Sequence, residues 1–265
     1  MTDPMTATVS YLPPPDVGGL EPDDPWLASA DDLLAGLIDR LRSAGTLAPP
    51  VVPTGIDSFD GADGGLALGT LTVVCARRAA GRTTALLAAA LHAAGDRHHS
   101  IVYALGSPPG SVAAQLAAAA LGVERASQLS ALEDARRRVA GLPLQVVVGQ
   151  TVSSHDIRAQ SLTADDPPEL IVVDNLTLLA HAGRGVDLKH LAVDLHVAVL
   201  ASITVPASLE RLDGAGLGAD LLNAADRLVW APVGDHAAGG ADDPRLAAPA
   251  PAGSVPHPLT SAGLR

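Results

Sequence analysis

One short stretch carries residues of the types and spacing that phosphate chemistry uses. In TLTVVCARRAAGRTT, Thr70 to Thr84, the residues Ala76, Gly81, Arg82 and Thr83 occupy the first, sixth, seventh and eighth places of the phosphate-loop pattern G-x-x-x-x-G-K-[ST]. Two of these four places are altered, the first Gly to Ala and the Lys to Arg. Such a loop curls its backbone N–H groups around phosphate oxygens and points a helix N-terminus at them. Gly81 suits the curl, because a side chain there would obstruct the backbone's approach. Thr83 can offer a hydroxyl to a phosphate-bound Mg²⁺. Arg82 keeps the positive charge of the usual lysine but exchanges a compact ammonium for a wide planar fork. The competing reading of the stretch is an ordinary strand-to-helix turn containing a glycine.

A second feature is LIVVD, Leu170 to Asp174, which places a carboxylate at the end of an apolar run. In open α/β sheets ligands gather at the carboxyl edge of the strands. An Asp there can hold Mg²⁺ through a water beside the Thr hydroxyl. An Asp that merely caps the following turn is the alternative. Together the two stretches predict a nucleotide site for ATP and Mg²⁺. That reading requires a crevice open to a triphosphate; a guanidinium filling it would count against the reading.

Other candidates carry less. Arg136, Arg137 and Arg138 follow Glu133 and Asp134 at helical spacing, which suits a self-paired exposed face. His98 and His99 are adjacent, and His181, His190 and His196 are scattered without ligand spacing, so no zinc site is expected. Cys75 is the only cysteine, has no local base and belongs to a buried strand.

The elements that must position these residues follow from periodicity. Residues 1 to 28 are rich in Pro and Asp and are expected to be disordered. Leu33, Leu34, Leu37, Ile38 and Leu41 recur at helical spacing within 29–46, and a linker with Pro49, Pro50 and Pro53 follows. Such a helix needs a surface for its apolar stripe, on its own domain or on a neighbouring subunit. Thr54 to Gly69 reads as a turn region. Strands are expected at 70–76, 100–105, 142–149, 169–176, 197–203 and 227–231. The helices between them are expected at 82–94, 109–121, 130–140, 153–160, 187–195 and 219–225. That alternation implies an α/β fold, a mostly parallel sheet with helices on both faces. Residues 234–265, rich in Ala, Pro and Gly, are expected to form a disordered tail.

The 265 residues are 48% hydrophobic, enough for one sizeable core. A net charge of -12 with 2% aromatics excludes a strong general nucleic-acid binder. Neither a leader pattern nor 18 consecutive apolar residues occurs, which predicts a cytoplasmic protein with no membrane contact.

Read along its length, the chain resembles the hexameric replicative DNA helicases of DnaB type, in their C-terminal RecA-like motor domain. PTGIDSFDGADGGLALG is similar to that family's lead-in, and VVCARRAAGRTT to its A-R-P-x-x-G-K-[ST] loop, in which Ala also comes first. LPLQVVVGQTVSSHDIRAQ, LIVVDNLTLL, LKHLAVDLHVAVLAS and LLNAADRLVWA resemble later segments in family order. The RadA and KaiC group is a near alternative. The resemblance implies a RecA-like P-loop NTPase fold over 50–233, with 29–46 as the linker helix. It implies nucleotide binding by Ala76, Arg77, Gly81, Arg82, Thr83 and Thr84, metal contact by Thr83 and Asp174, and a sensor position at Thr204.

The departures from the family are specific. Its catalytic glutamate position, at the end of the second strand, is Gly106, and neither Ser107 nor any adjacent residue is a carboxylate. Losing a positioned base typically costs about 10²- to 10⁴-fold in rate. The stretches matching DNA-contacting loops hold only Arg184 and Arg211, so any DNA contact is expected to be weak. Two functions are therefore expected as alternatives. One is a nucleotide-binding or pseudo-ATPase assembly module that self-associates through helix 31–44 and takes a protein partner. The other is an active ATP-dependent DNA helicase, translocase or RadA/KaiC-like ATPase.

Overall fold

The computed structural model describes residues 30–44, 49–77, 81–123, 125–180, 184–205 and 219–231. The chain divides into two units, Met1–Ala48 and Pro49–Arg265. The first contributes one helix, α1 (Ala30–Ala44), on which Leu34, Leu37, Ile38 and Leu41 are all exposed along a single stripe. Its Arg42–Asp39 ion pair is solvent-exposed, the kind that adds little stability.

The second unit begins with a small antiparallel pair, β1 (Val51–Val52) with β2 (Leu66–Ala67), around the short helix α2 (Asp57–Asp60). The sequence reads this region only as turns, because two-residue strands leave no periodicity to detect. Asp60 holds it together by accepting from Thr54 N, Thr54 Oγ1 and Gly55 N at 2.8, 2.5 and 2.9 Å.

From there strands and helices alternate as expected. The strands are β3 (Leu71–Ala76), β4 (Ser100–Leu105), β5 (Leu144–Gly149), β6 (Leu170–Asp174), β7 (Ala198–Thr204) and β8 (Arg227–Trp230). The helices are α3 (Arg82–Gly95), α4 (Pro109–Leu121), α5 (Leu129–Val139), α6 (Ser154–Thr163), α7 (Arg184–Leu195) and α8 (Ala219–Ala224). All six strands pair in parallel, in the order β5-β4-β6-β7-β3-β8.

Helices α3, α4 and α5 cover one face of this sheet, while α6, α7 and α8 cover the other. Strands β3, β4 and β6 are buried along their whole length, which is why they read as unbroken apolar runs rather than alternating ones. Alanines at 89, 90, 93 and 94 let α3 lie close to its neighbours with no exposed surface left at those positions. Ser153 caps α6 and Asp156 completes a capping box.

The strand order has a consequence for chemistry. β3 and β6 are not neighbours, since β7 runs between them, yet all three end at the same edge. The residue partners Ala76 and Thr204 mark that edge for β3 and β7, and Asp174 marks it for β6. The Pro/Asp-rich lead and the Ala/Pro/Gly tail lie outside the described residues.

Candidate functional site

At the carboxyl edge the strand β3 ends and, past residues outside the description, Gly81 opens α3. Gly81 has φ 67° and ψ 11°, a left-handed conformation that disfavours any side chain. A Cβ there would meet nothing within 4 Å among the described residues, so the backbone angle, rather than crowding by the protein, calls for glycine.

The first two helical residues point into a polar cluster. Arg82 Nε donates to Asp174 Oδ1 at 2.9 Å, and Arg82 Nη1 donates to Thr204 Oγ1 at 2.5 Å. Thr83 Oγ1 donates to Asp174 Oδ2 at 2.5 Å, and Ser202 Oγ donates to Asp174 Oδ1 at 2.6 Å. The Asp174 side chain is 6% exposed and that of Arg82 16%. A carboxylate this deep needs compensation, and here one cation and two hydroxyls supply it. Thr84 lies half-buried on the same turn.

The residues expected from sequence thus divide into those that meet and one that stands apart. Arg82, Thr83, Asp174 and Thr204 form one connected network. Arg77 belongs to a different surface. Its guanidinium lies 5.9 Å from the ring centroid of Trp230 on β8, and its Nε is buried with no hydrogen-bond partner among the described residues. Ser202 was not a sequence candidate, although a lone hydroxyl inside the apolar run of β7 is the signal that could have found it. Cys75 is fully buried, and burial pushes its thiol up to about 11, which leaves it protonated and unreactive at neutral pH.

Gly106, one residue past β4, has φ 72°, and a Cβ built on it would stand 2.5 Å from Leu178 Cδ1. Leu178 ends the one-turn 3₁₀ helix Leu176–Leu178 that follows β6. Gly106 and Leu178 are both exposed, so the leucine approaches the place where a side chain at 106 would begin without enclosing it.

The fit to Mg²⁺ can be tested on these contacts. Thr83 and Asp174, the two residues expected to flank the ion, are hydrogen-bonded directly to each other. A guanidinium occupies Asp174 Oδ1. Among the described residues no group of three or more His, Cys, Asp or Glu could hold a metal. As arranged, the residues do not fit Mg²⁺; the guanidinium of Arg82 fills the cationic place beside Asp174, which counts against the expected site open to a metal-bound triphosphate.

The remaining charged candidates are accounted for structurally. Arg137 pairs with Asp134, while Arg138 Nη1 donates to the Ala120 carbonyl at 3.1 Å near the end of α4 rather than pairing on its own helix. His98 Nδ1 lies 2.9 Å from Glu169 Oε2, and His99 contacts the Asp166 carbonyl; both precede β4, at the amino end of the sheet and away from the site. His190 and His196 are exposed. The side chain of Arg184, and all of His181 and Arg211, lie outside the described residues. No described helix is long and apolar enough to cross a membrane.

Against known proteins, the sequence pattern of the DnaB-like helicase C-terminal domain matches residues 51–213. The chain belongs to that family. Its fold is the RecA-like motor fold of DnaB-type helicases, seen also in two solved structures. One is a DnaB-like replicative helicase studied with its interactions with primase, 19% identical, with a TM-score of 0.59. The alignment covers 77% of this chain and 56% of that one, so this chain spans little more than half of that helicase. The other is described as an ATPase domain, also 19% identical, with a TM-score of 0.64 over 77% of this chain and 83% of that one. No curated protein matches the sequence.

Proposed function

We propose that this DnaB-like chain is a nucleotide-binding assembly or regulatory module of the cytoplasm with little or no ATP hydrolysis. The observation that carries the reading is Gly106, which stands one residue past β4 where the family resemblance implies a glutamate. Phosphoryl transfer to water relies on a group that orients and deprotonates the attacking water. At this position there is no carboxylate, the backbone is left-handed, and Leu178 Cδ1 stands where a side chain would begin.

Binding is supported by what remains on the other side of the site. Gly81 opens a helix whose N-terminus faces the same edge as Asp174, and Thr83 touches that carboxylate. Members of the family generally bind ATP and Mg²⁺. The nucleotide would lie against Ala76, Gly81, Arg82, Thr83 and Thr84, with Arg77 at its border and Thr204 as the remnant of a sensor.

The exposed stripe Leu34, Leu37, Ile38 and Leu41 supports self-association through helix 31–44, because an apolar face of this kind is stabilised by a partner surface. A protein partner fits an assembly role, and a weak DNA contact through Arg184 or Arg211 would be secondary. The alternative is an active helicase, translocase or RadA/KaiC-like ATPase, for which Thr83 and Asp174 would have to part to admit Mg²⁺.

Titration of ATP by calorimetry, together with a phosphate-release assay, separates the two. Binding without release is the expected result. Release that disappears in Thr83→Ala and Asp174→Asn would establish the ATPase instead.

A further inference from the structure

Resting on the reading that this site takes nucleotide, we propose that Arg82 itself serves as the counter-charge a divalent cation would supply, so that nucleotide is held without metal. The Asp174 carboxylate accepts three hydrogen bonds, so three of its about four acceptor places are taken. Oδ1 accepts from Arg82 Nε and Ser202 Oγ, and Oδ2 accepts from Thr83 Oγ1. A cation arriving between Thr83 and Asp174 would have to part a 2.5 Å hydrogen bond and share the carboxylate with a guanidinium held 2.9 Å away.

A lysine in this place would present no such obstacle. An ammonium is one point charge on a flexible stem and can leave the carboxylate to follow a phosphate. Arg82 is anchored at two acceptors on two strands, Asp174 at the end of β6 and Thr204 at the end of β7. A planar fork bonded through two nitrogens loses both bonds when it swings away.

The clasp also leaves something for a ligand. A guanidinium carries five N–H groups, and here Nε and one hydrogen of Nη1 are engaged, so among the described residues the other three have no partner and could donate to phosphate oxygens. The guanidinium can thus neutralise Asp174 and meet an anion at once. On this reading the Thr83–Asp174 contact and Arg82 oppose a metal, and the unengaged guanidinium N–H groups meet the phosphate.

The test is calorimetric titration of ATP into the full chain in Mg²⁺ and in EDTA, repeated with Arg82→Lys. The expected result is that wild-type affinity changes by less than about threefold between the two media, while Arg82→Lys binds about tenfold or more tightly with Mg²⁺ than without. Thr204→Val, which removes one anchor and keeps the charge, is expected to show an intermediate response and decides the matter if Arg82→Lys does not fold. Wild-type affinity that drops about tenfold or more in EDTA overturns the metal-free arrangement alone and leaves the nucleotide reading standing. Variants as indifferent to Mg²⁺ as the wild type also overturn it, since Arg82 would then not be what excludes the ion. No binding by any of the proteins in either medium overturns this proposal and the nucleotide reading together.

Discussion

Two places along the same sheet edge differ in what they hold. At the ends of β3, β6 and β7 lies a polar network, in which Asp174, Thr83, Ser202 and Thr204 close around Arg82. At the end of β4 there is no polar side chain: Gly106 is exposed, and Leu178 Cδ1 comes within 2.5 Å of where a Cβ would stand. Under the proposed function, binding and hydrolysis use these different places, so one can be preserved while the other is lost.

The largest effect expected from breaking this contrast is at Asp174. Asp174→Ala would leave a guanidinium that is only 16% exposed without its carboxylate, and two hydroxyls without their acceptor. Breaking a buried pair by removing one partner costs about 3 kcal/mol or more, so a clear fall in the midpoint of urea unfolding is the expected outcome. A variant as stable as the wild type would mean the polar network is incidental.

Gly106→Glu probes the other end. It forces a side chain into a left-handed backbone position against Leu178, with an expected loss of about 2 kcal/mol and no gain in phosphate release. Adding Leu178→Ala removes the overlap and should return part of the stability. Phosphate release gained by Gly106→Glu alone would show that Leu178 yields easily and that the left-handed backbone at 106 tolerates a working carboxylate.

The smallest change sharpens the description of the polar end. Ser202→Ala removes one of three donors to Asp174 and leaves Arg82 and Thr83 in place, so a loss of about 1 kcal/mol is expected in the same unfolding experiment. A loss as large as that of Asp174→Ala would make Ser202 the keystone of the network.

Much of the fold could be read before any coordinates. Unbroken apolar runs at β3, β4 and β6, helical spacing between them and Pro109 at a helix start are local signals, and they placed the major strands and helices to within a few residues. The strand at 169–176 was read too long, because Asn175, Leu176 and the turn after them continue the apolar pattern but not the backbone direction. The pair β1 and β2 was missed because two-residue strands have no period. In the site, the partners of Arg82 were each visible as residues but not as neighbours. The bond from Arg82 to Asp174 joins positions 92 apart, and the bond to Thr204 joins positions 122 apart.

The sequence by itself determined that this is a parallel α/β chain with a phosphate-loop pattern and an acid at a strand end, since each of these is a property of residue type and local spacing. Only the tertiary structure decided what Arg82 does. Strand β7 brings Thr204 and Ser202 between the ends of β3 and β6, and the fork closes on Asp174 instead of standing free. It also decided that Leu178 Cδ1 comes within 2.5 Å of a Cβ built on Gly106. Both are encounters between distant segments at one sheet edge, and strand order, which no local pattern encodes, is what brings them about.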